Sequence, residues 1–145
     1  MKLHLIKLCV GAESIRDLEE WIAERLAEKR RRKQPVEHIH RTRMVPKRAR
    51  ELLAGGSLYW VIRGQIMCRQ RLLDIRPYVD KEGVRRCGLV LEPKVVPVWP
   101  RPRGPFQGWR YFADKEVPPD LTKGTKGLTD LPEDLRRELQ ELGLL

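Results

Sequence analysis

Arginine side chains recur through residues 55–71, GGSLYWVIRGQIMCRQR, at a spacing that could bind anions. An arginine side chain keeps its charge at all working pH values, offers a planar set of N–H donors to phosphate oxygens and stacks on bases. Alternation predicts one strand face of Arg63, Gln65, Arg69 and Arg71, opposite an apolar face of Leu58, Trp60, Ile62, Ile66 and Cys68. A turn or bulge at Gly64 would break that common face.

This predicted face has the side chains that phosphate and base recognition require. Gln70 lies beside it, and Tyr59 would provide a stacking surface for an unpaired base. The alternative is an outer sheet face whose arginines only cover apolar neighbours.

A second basic stretch, RTRMVPKRAR, begins in the second half of a strand predicted over residues 36–45. Its basic residues are Arg41, Arg43, Lys47, Arg48 and Arg50. Pro46 suits the start of a helix over residues 47–54, so Lys47 and Arg48 are predicted in its first turn, where unpaired backbone N–H groups attract an anion. A basic loop balanced by Glu37, Glu51 and solvent is the alternative.

The aromatic stretch FQGWRYF ends the basic part of the chain. Trp109 could stack on a base, with Arg110 beside it to contact phosphate. The alternative, a closing strand that fills the core, is favoured because aromatic side chains bury large apolar areas.

Histidine and cysteine are the residues here that could support metal binding or catalysis. His38 and His40 share one face of a predicted strand, and histidine titrates near neutral pH. No suitably spaced carboxylates accompany them, and Cys9, Cys68 and Cys87 fall on apolar strand faces. We therefore predict no metal and no cofactor, and we keep His40 only as a candidate acid–base residue.

The charge distribution points to a polyanionic partner. The 145 residues carry a net charge of +10, and residues 34–112 alone hold sixteen basic and six acidic side chains. Nucleic acid is the commonest cellular polyanion, although such charge can also simply keep a protein dispersed. The chain has no apolar run of the roughly 20 residues that a membrane span needs. The N-terminal apolar stretch is interrupted by Lys2, His4 and Lys7, and three cysteines without a C-x-x-C pair fit a reducing compartment, so we expect a cytoplasmic protein.

Periodicity predicts a single α+β domain with a mostly antiparallel sheet. A strand over residues 2–10 precedes a helix that begins at Ser14, with Ile15, Leu18, Ile22 and Leu26 on its buried stripe. Further strands are predicted over residues 36–45, from residue 57 onward and over residues 84–91. Residues 1–112 form the predicted basic core domain. Residues 113–145 form a polar linker and a C-terminal helix over residues 131–143.

Several stretches together resemble a known family. LHLIKLCVG, TRMVPKRARELLAGGSLYWVIRG, RRCGLVLEP and PFQGWRYF are similar to a family of small alphaproteobacterial proteins of unknown function, which implies a single cytoplasmic domain and no assigned site. PKRARELLAGGSLYWVIRG also resembles, in outline, the PUA and ASCH group of RNA-binding barrels. That resemblance implies a barrel-like sheet and RNA binding, although no acidic residue stands before Arg63 or Arg69 as the ASCH pattern requires.

These observations lead to one functional prediction and two alternatives. The prediction is binding of RNA or another nucleic acid by the arginine-rich sheet face. The first alternative is a small enzyme for a phosphorylated or nucleotide substrate, with His40 as acid or base. The second is an adaptor whose acidic C-terminal segment, with its helix, binds a protein partner or folds back on the basic surface.

Overall fold

The computed structural model describes residues 2–121, which form an α+β fold around one open sheet. The strands are β1 (Leu3–Leu8), β2 (His38–Thr42), β3 (Ser57–Ile62), β4 (Gln65–Val79), β5 (Arg85–Leu91), β6 (Val96–Pro102) and β7 (Trp109–Ala113). The helices are α1 (Ile15–Arg31) and α2 (Ala49–Leu53), and a 3₁₀ turn spans Asp114–Glu116. Neither α-helix is long and apolar enough to cross a bilayer.

Helix α1 forms as its sequence predicts. The Ser14 hydroxyl accepts a hydrogen bond from the Asp17 N–H at 3.1 Å, which caps the first turn. The Asp17 carboxylate in turn accepts from the Glu13 N–H at 2.9 Å. The buried side chains of α1 are the predicted stripe, Ile15, Leu18, Ile22 and Leu26.

Strand β4 organises the sheet because it has fifteen residues and pairs with three other strands. The sheet order is β2-β5-β4-β3-β1-β7. The first half of β4 pairs with β3 and β6, and its second half pairs with β5, all antiparallel. Strand β1 pairs parallel with β3, so the sheet is mixed, with one parallel pair among antiparallel ones.

Both faces of the sheet are covered. The main core lies beneath α1 and α2 and includes Leu5, Leu52, Trp60 and Leu89. A smaller cluster on the opposite face joins Ile6, Tyr59, Val61, Ile66, Val98 and Phe112. Gly56 allows α2 to approach β1, because a Cβ at this position would lie 2.1 Å from the Leu3 carbonyl oxygen.

The structure corrects two parts of the predicted fold. The sheet is open, with β2 and β7 at the ends of its strand order, so the PUA-like barrel closure is wrong for residues 2–121. Strand β2 and helix α2 are shorter than the predicted ranges 36–45 and 47–54. Within the predicted linker, Ala113 ends β7 and the Leu121 N–H donates to the Pro97 carbonyl oxygen at 2.8 Å. The predicted helix over residues 131–143, and with it the adaptor surface, lies outside the described residues.

Candidate functional site

The predicted common arginine face does not exist, because a turn and a bulge interrupt it. Arg63 and Gly64 form the two-residue turn between β3 and β4, both with left-handed φ angles of 52° and 76°. The β3–β4 register then shifts, since Val61 pairs with Ile66 while Trp60 pairs with Cys68. Met67 is the extra residue, and it inverts the alternation on which the prediction depended.

The two glutamines consequently face away from the arginines. Gln65 pairs with Ile62, and Gln70 pairs with Leu58, both of which belong to the main core. Gln70 is fully buried, accepts a hydrogen bond from the Trp60 indole N–H at 2.9 Å and donates to the Glu92 carbonyl oxygen at 2.9 Å. It satisfies buried polar groups, so in this structure the Gln70 side chain does not reach the surface where the prediction placed it.

Arg69 does lie on the opposite face, but its guanidinium is already engaged. It donates two hydrogen bonds to the Asp120 carboxylate, at 2.8 and 2.7 Å, and a third to the Ser57 hydroxyl at 3.0 Å. The hydrogen bonds from Arg69 hold the pKa of Asp120 below its usual value. Arg71, two residues further along β4, is exposed. Of the two, only Arg71 remains available to a ligand.

Neither aromatic residue predicted to stack on a base is accessible. Tyr59 is 3% exposed and packs edge-on against Phe112, and burial raises the pKa of its hydroxyl to about 12. Trp109 is 6% exposed, and its indole N–H donates to the Met44 carbonyl oxygen at 2.8 Å. Both rings contribute to the core, as the alternative interpretation held for Trp109.

The second basic stretch and the aromatic stretch meet at the sheet edge. We call residues 41–50 the basic segment. The Tyr111 hydroxyl oxygen accepts hydrogen bonds from the backbone N–H groups of Lys47 and Arg48, at 2.9 and 3.2 Å. With the bond from Trp109 to Met44, three hydrogen bonds therefore attach the basic segment to β7.

The predicted anion site at a helix N-terminus is not formed. Helix α2 begins at Ala49, has five residues, and follows the N–H groups of Lys47 and Arg48 that Tyr111 already binds. The side chains of the segment nevertheless remain accessible to an anion, because all five basic residues are exposed. Arg48 pairs with Glu51 at 2.5 Å and lies 5.5 Å above the Tyr111 ring, whereas Arg41, Arg43, Lys47 and Arg50 have no acidic partner among residues 2–121.

Arg110 lies on the other side of β7 from Tyr111. Its guanidinium carbon is 5.7 Å from the centre of the Phe106 ring, and that of Arg103 is 5.0 Å from the same ring. Arg110 is exposed, so it can contact an anion while it stacks on Phe106. This small cationic cluster is separated from the basic segment by the edge strand.

A groove between α1 and β2 contains the two histidines. Its outer part has a volume of about 480 Å³ and is lined by Arg25, Glu28, Lys29, Arg32, Gln34, Glu37, His38, Ile39, His40 and Arg41. An inner part of about 110 Å³ shares Arg25, His38 and His40 and adds Lys7 and the mainly apolar Leu8, Cys9, Val10, Leu18, Trp21 and Trp60. We call this space the imidazole groove. His40 sits edge-on to Trp60, with ring centres 5.0 Å apart.

The imidazole groove keeps both histidines neutral. Burial, reinforced by the charges of Arg25 and Lys29, lowers the pKa of His38 to about 4. Burial, with the charge of Lys7 next in importance, likewise lowers the pKa of His40 to about 4. Burial also lowers the pKa of Lys7 itself. At neutral pH the groove therefore contains uncharged imidazoles surrounded by cationic side chains.

The cysteines do not form a reactive or metal-binding site. All three are free and buried, and burial raises the pKa of each thiol, to about 11 for Cys9. Because the thiolate is the nucleophile and the metal ligand, these protonated thiols are unreactive at neutral pH. Residues 2–121 contain no cluster of three metal-ligating side chains.

Sequence reasoning missed three residues of these sites: Tyr111, Lys7 and Arg25. Tyr111 had a usable signal, because alternation from Trp109 places it on the same side of β7 as Trp109. Lys7 lies two residues from Leu5 and from Cys9, on the core-facing side of β1, so a lysine there was also an anomaly. Arg25 carried no signal, since an exposed arginine on a helix is ordinary.

Comparison with known proteins identifies a family, but the description of that family assigns no function. A family model described as "Protein of unknown function (DUF1489)" matches residues 5–145. No curated protein and no solved structure matches the chain.

Proposed function

Since the chain belongs to this family of unknown function, we propose its activity from its own geometry: it binds RNA or another nucleic acid through the basic segment. One observation supports this proposal above the others. Residues 41–50 contain five basic side chains and no acidic one, on a backbone that three hydrogen bonds attach to β7. A cytoplasmic location, where RNA is abundant, is part of the proposal.

A fixed backbone makes the charge of the basic segment more effective. Association loses free energy when loops and side chains must be ordered, and an attached segment loses less. Arg43, Lys47 and Arg50 are exposed, so they can each neutralise a phosphate and release counterions. The Arg48 guanidinium, held above Tyr111, offers a flat cationic surface against which a base can stack.

Other exposed arginines could extend the contact with a longer nucleic acid. Arg63 in the β3–β4 turn, Arg71 on β4 and Arg110 on β7 are exposed and have no acidic partner within residues 2–121. They do not form one face, so we assign them supporting phosphate contacts only.

Fluorescence anisotropy with labelled single-stranded and duplex RNA, measured over a range of salt concentrations, tests this proposal. We expect the logarithm of the affinity to fall linearly with the logarithm of salt concentration, because phosphate contacts release counterions. If neither the single-stranded nor the duplex RNA binds at low salt, the proposal is wrong.

The imidazole groove favours a second candidate, a small enzyme for a phosphorylated or nucleotide substrate with His40 as acid or base. With a pKa of about 4, His40 is a weak proton acceptor at neutral pH. An anionic substrate would raise that pKa and make the imidazole a better base. Turnover of phosphorylated substrates that disappears in His40→Gln, and survives changes in the basic segment, would favour this candidate.

A further inference from the structure

The two histidines of β2 are unusual because neither ring has a hydrogen-bond partner among residues 2–121. The Nδ1 atom of His38 and the Nε2 atom of His40 are completely buried and unpaired. His38 as a whole is only 4% exposed. The other nitrogen of each ring, Nε2 of His38 and Nδ1 of His40, is not among these buried atoms and also has no hydrogen bond within residues 2–121, so each ring retains a nitrogen for a ligand in the groove.

Cationic side chains reach the same groove from three elements. Lys7 comes from β1, Arg25, Lys29 and Arg32 come from α1, and Arg41 comes from β2. The two acidic residues of the lining are already paired: Glu28 binds Arg31 and Arg32, while Glu37 binds Arg76 at 2.6 Å. The lining therefore retains an excess of positive charge, which favours an anion over a metal cation as the ligand of the groove.

We infer that the imidazole groove binds a phosphate monoester group through His38, His40 and Arg25. A phosphate monoester carries close to two negative charges at neutral pH and three terminal acceptor oxygens, which matches several donors better than a carboxylate does. A neutral imidazole can donate one N–H to such an oxygen, and Arg25 can donate two in parallel.

The shape of the groove agrees with this ligand. Arg25, His38 and His40 line both parts, so a phosphate group fits where the two parts meet, beside Lys7, and the rest of the inner part is mainly apolar. The outer part, about 480 Å³, leaves room for whatever carries the phosphate. A free nucleotide and the phosphorylated end of a nucleic-acid strand present the same chemistry, and Arg41 joins the groove to the basic segment. The site does not depend on the proposed function, because a small phosphate ester can occupy it alone.

Ligand binding should be coupled to protonation of the imidazoles. Charged and titratable groups from three parts of the fold face the imidazoles. Strand β1 and the residue after it contribute Lys7 and Cys9, and α1 contributes Arg25, Glu28, Lys29 and Arg32. Glu37 and Arg41 come from β2 and the residue before it. Burial and the cations among these groups oppose a charged imidazole. A bound phosphate anion would offset those charges and raise the pKa of both histidines.

The test is an NMR pH titration of the histidine imidazoles with and without inorganic phosphate. We expect saturating phosphate to raise the pKa of His38 and His40 from about 4 towards 6.5. Arg25→Gln should weaken phosphate binding by about tenfold, the loss of one charge-assisted pair. Arg30→Gln, an equal charge change at an exposed position of α1 outside the groove lining, should bind as the wild type does.

Further ligands identify the source of the phosphate. Tighter binding of adenosine monophosphate than of inorganic phosphate indicates a free nucleotide. Tighter binding of a 5′-phosphorylated oligonucleotide than of its 5′-hydroxyl form indicates a strand end. Either result supports the site.

Two results would overturn the inference: imidazole signals that do not respond to phosphate, or equal phosphate affinity in Arg25→Gln and Arg30→Gln. This failure is distinguishable from failure of the proposed function. RNA binding without a response of the imidazoles to phosphate would reject the phosphate site alone. An imidazole response without RNA binding would reject the RNA proposal alone.

Discussion

The Tyr111 hydroxyl accepts hydrogen bonds from two consecutive backbone N–H groups, those of Lys47 and Arg48, at 2.9 and 3.2 Å. One edge-strand side chain therefore fixes the backbone of a basic segment more than sixty residues earlier in the chain. These two hydrogen bonds also occupy the Lys47 and Arg48 N–H groups in front of α2. An anion can therefore bind the side chains of the basic segment but not these backbone N–H groups.

Removing only the hydroxyl tests this attachment. Tyr111→Phe keeps the ring beside Trp109 but leaves two N–H groups without their acceptor. We expect a loss of about 0.5–1.5 kcal/mol in the free energy of unfolding, at the scale of ordinary hydrogen bonds, measured by urea denaturation. RNA affinity should also fall, because the basic segment becomes less ordered. Tyr78→Phe is the control, since the Tyr78 hydroxyl has no partner among residues 2–121, and an equal loss in both variants would contradict the attachment.

Gln70 is a structural residue, and its replacement should affect stability alone. Gln70→Ala leaves the Trp60 indole N–H unpaired and opens a cavity in the core. We expect the free energy of unfolding to fall by about 2–4 kcal/mol, with no change in RNA affinity per folded molecule. Gln107→Ala, at an exposed position, should stay within about 0.5 kcal/mol of the wild type. A stable Gln70→Ala protein that no longer binds RNA would restore Gln70 as a contact residue.

The neutral histidines predict how stability depends on pH. Both have a pKa of about 4 when folded, against an ordinary value of 6.5, so between these values the unfolded chain binds more protons than the folded one. The contribution of the two histidines to the free energy of unfolding is then fully present above pH 6.5 and decreases as the pH falls towards 4. Each unit of pKa difference corresponds to about 1.4 kcal/mol. Urea denaturation at several pH values in this window measures the loss.

The double variant His38→Gln with His40→Gln provides the control for this window. Its stability should vary less between pH 6.5 and 4 than that of the wild type. Several carboxylates, such as Asp74 and Asp120, have a lowered pKa because they bind arginine, and they affect stability below this window. Parallel pH profiles for the variant and the wild type would refute the assignment to these histidines.

Arg63 has a strained backbone that a better turn residue should relieve. Its φ of 52° is unfavourable for an arginine, and asparagine tolerates the left-handed region more readily. Arg63→Asn should therefore stabilise the protein by about 0.5–1 kcal/mol in thermal or urea denaturation. Arg63→Val should destabilise it, because β-branched residues rarely adopt this conformation. Stabilisation by valine instead would indicate that Arg63 lies in an extended strand.

Local patterns predicted α1 well, and for a physical reason. The capping serine and the buried stripe from Ile15 to Leu26 are properties of neighbouring residues in one helix. The core role of Leu58 and Trp60 was likewise evident from alternation. The α+β class followed from such segments because each must bury its apolar side.

The arginine face failed because alternation assumes an uninterrupted strand. The extra residue at Met67 reverses the facing of Ile66 relative to Cys68, and only the pairing partner β3 reveals it. The pairing of Arg69 with Asp120, 51 residues away, is set by tertiary structure and has no local signal. The imidazole groove was found in part: His38 and His40 share a face as predicted, but only the fold brings Lys7 and Arg25 to them.

The salt dependence of RNA binding by a charge-deleted basic segment tests the central claim most directly. Lys47→Gln with Arg50→Gln is compared with Lys81→Gln with Arg85→Gln, which removes the same charge from exposed positions around the β4–β5 turn. Each lost phosphate contact should flatten the log–log salt slope by about 0.7 for a single strand, so the first variant should lose about 1.4 and the second nothing. Equal slopes and equal affinities in the two variants would contradict RNA binding through residues 41–50.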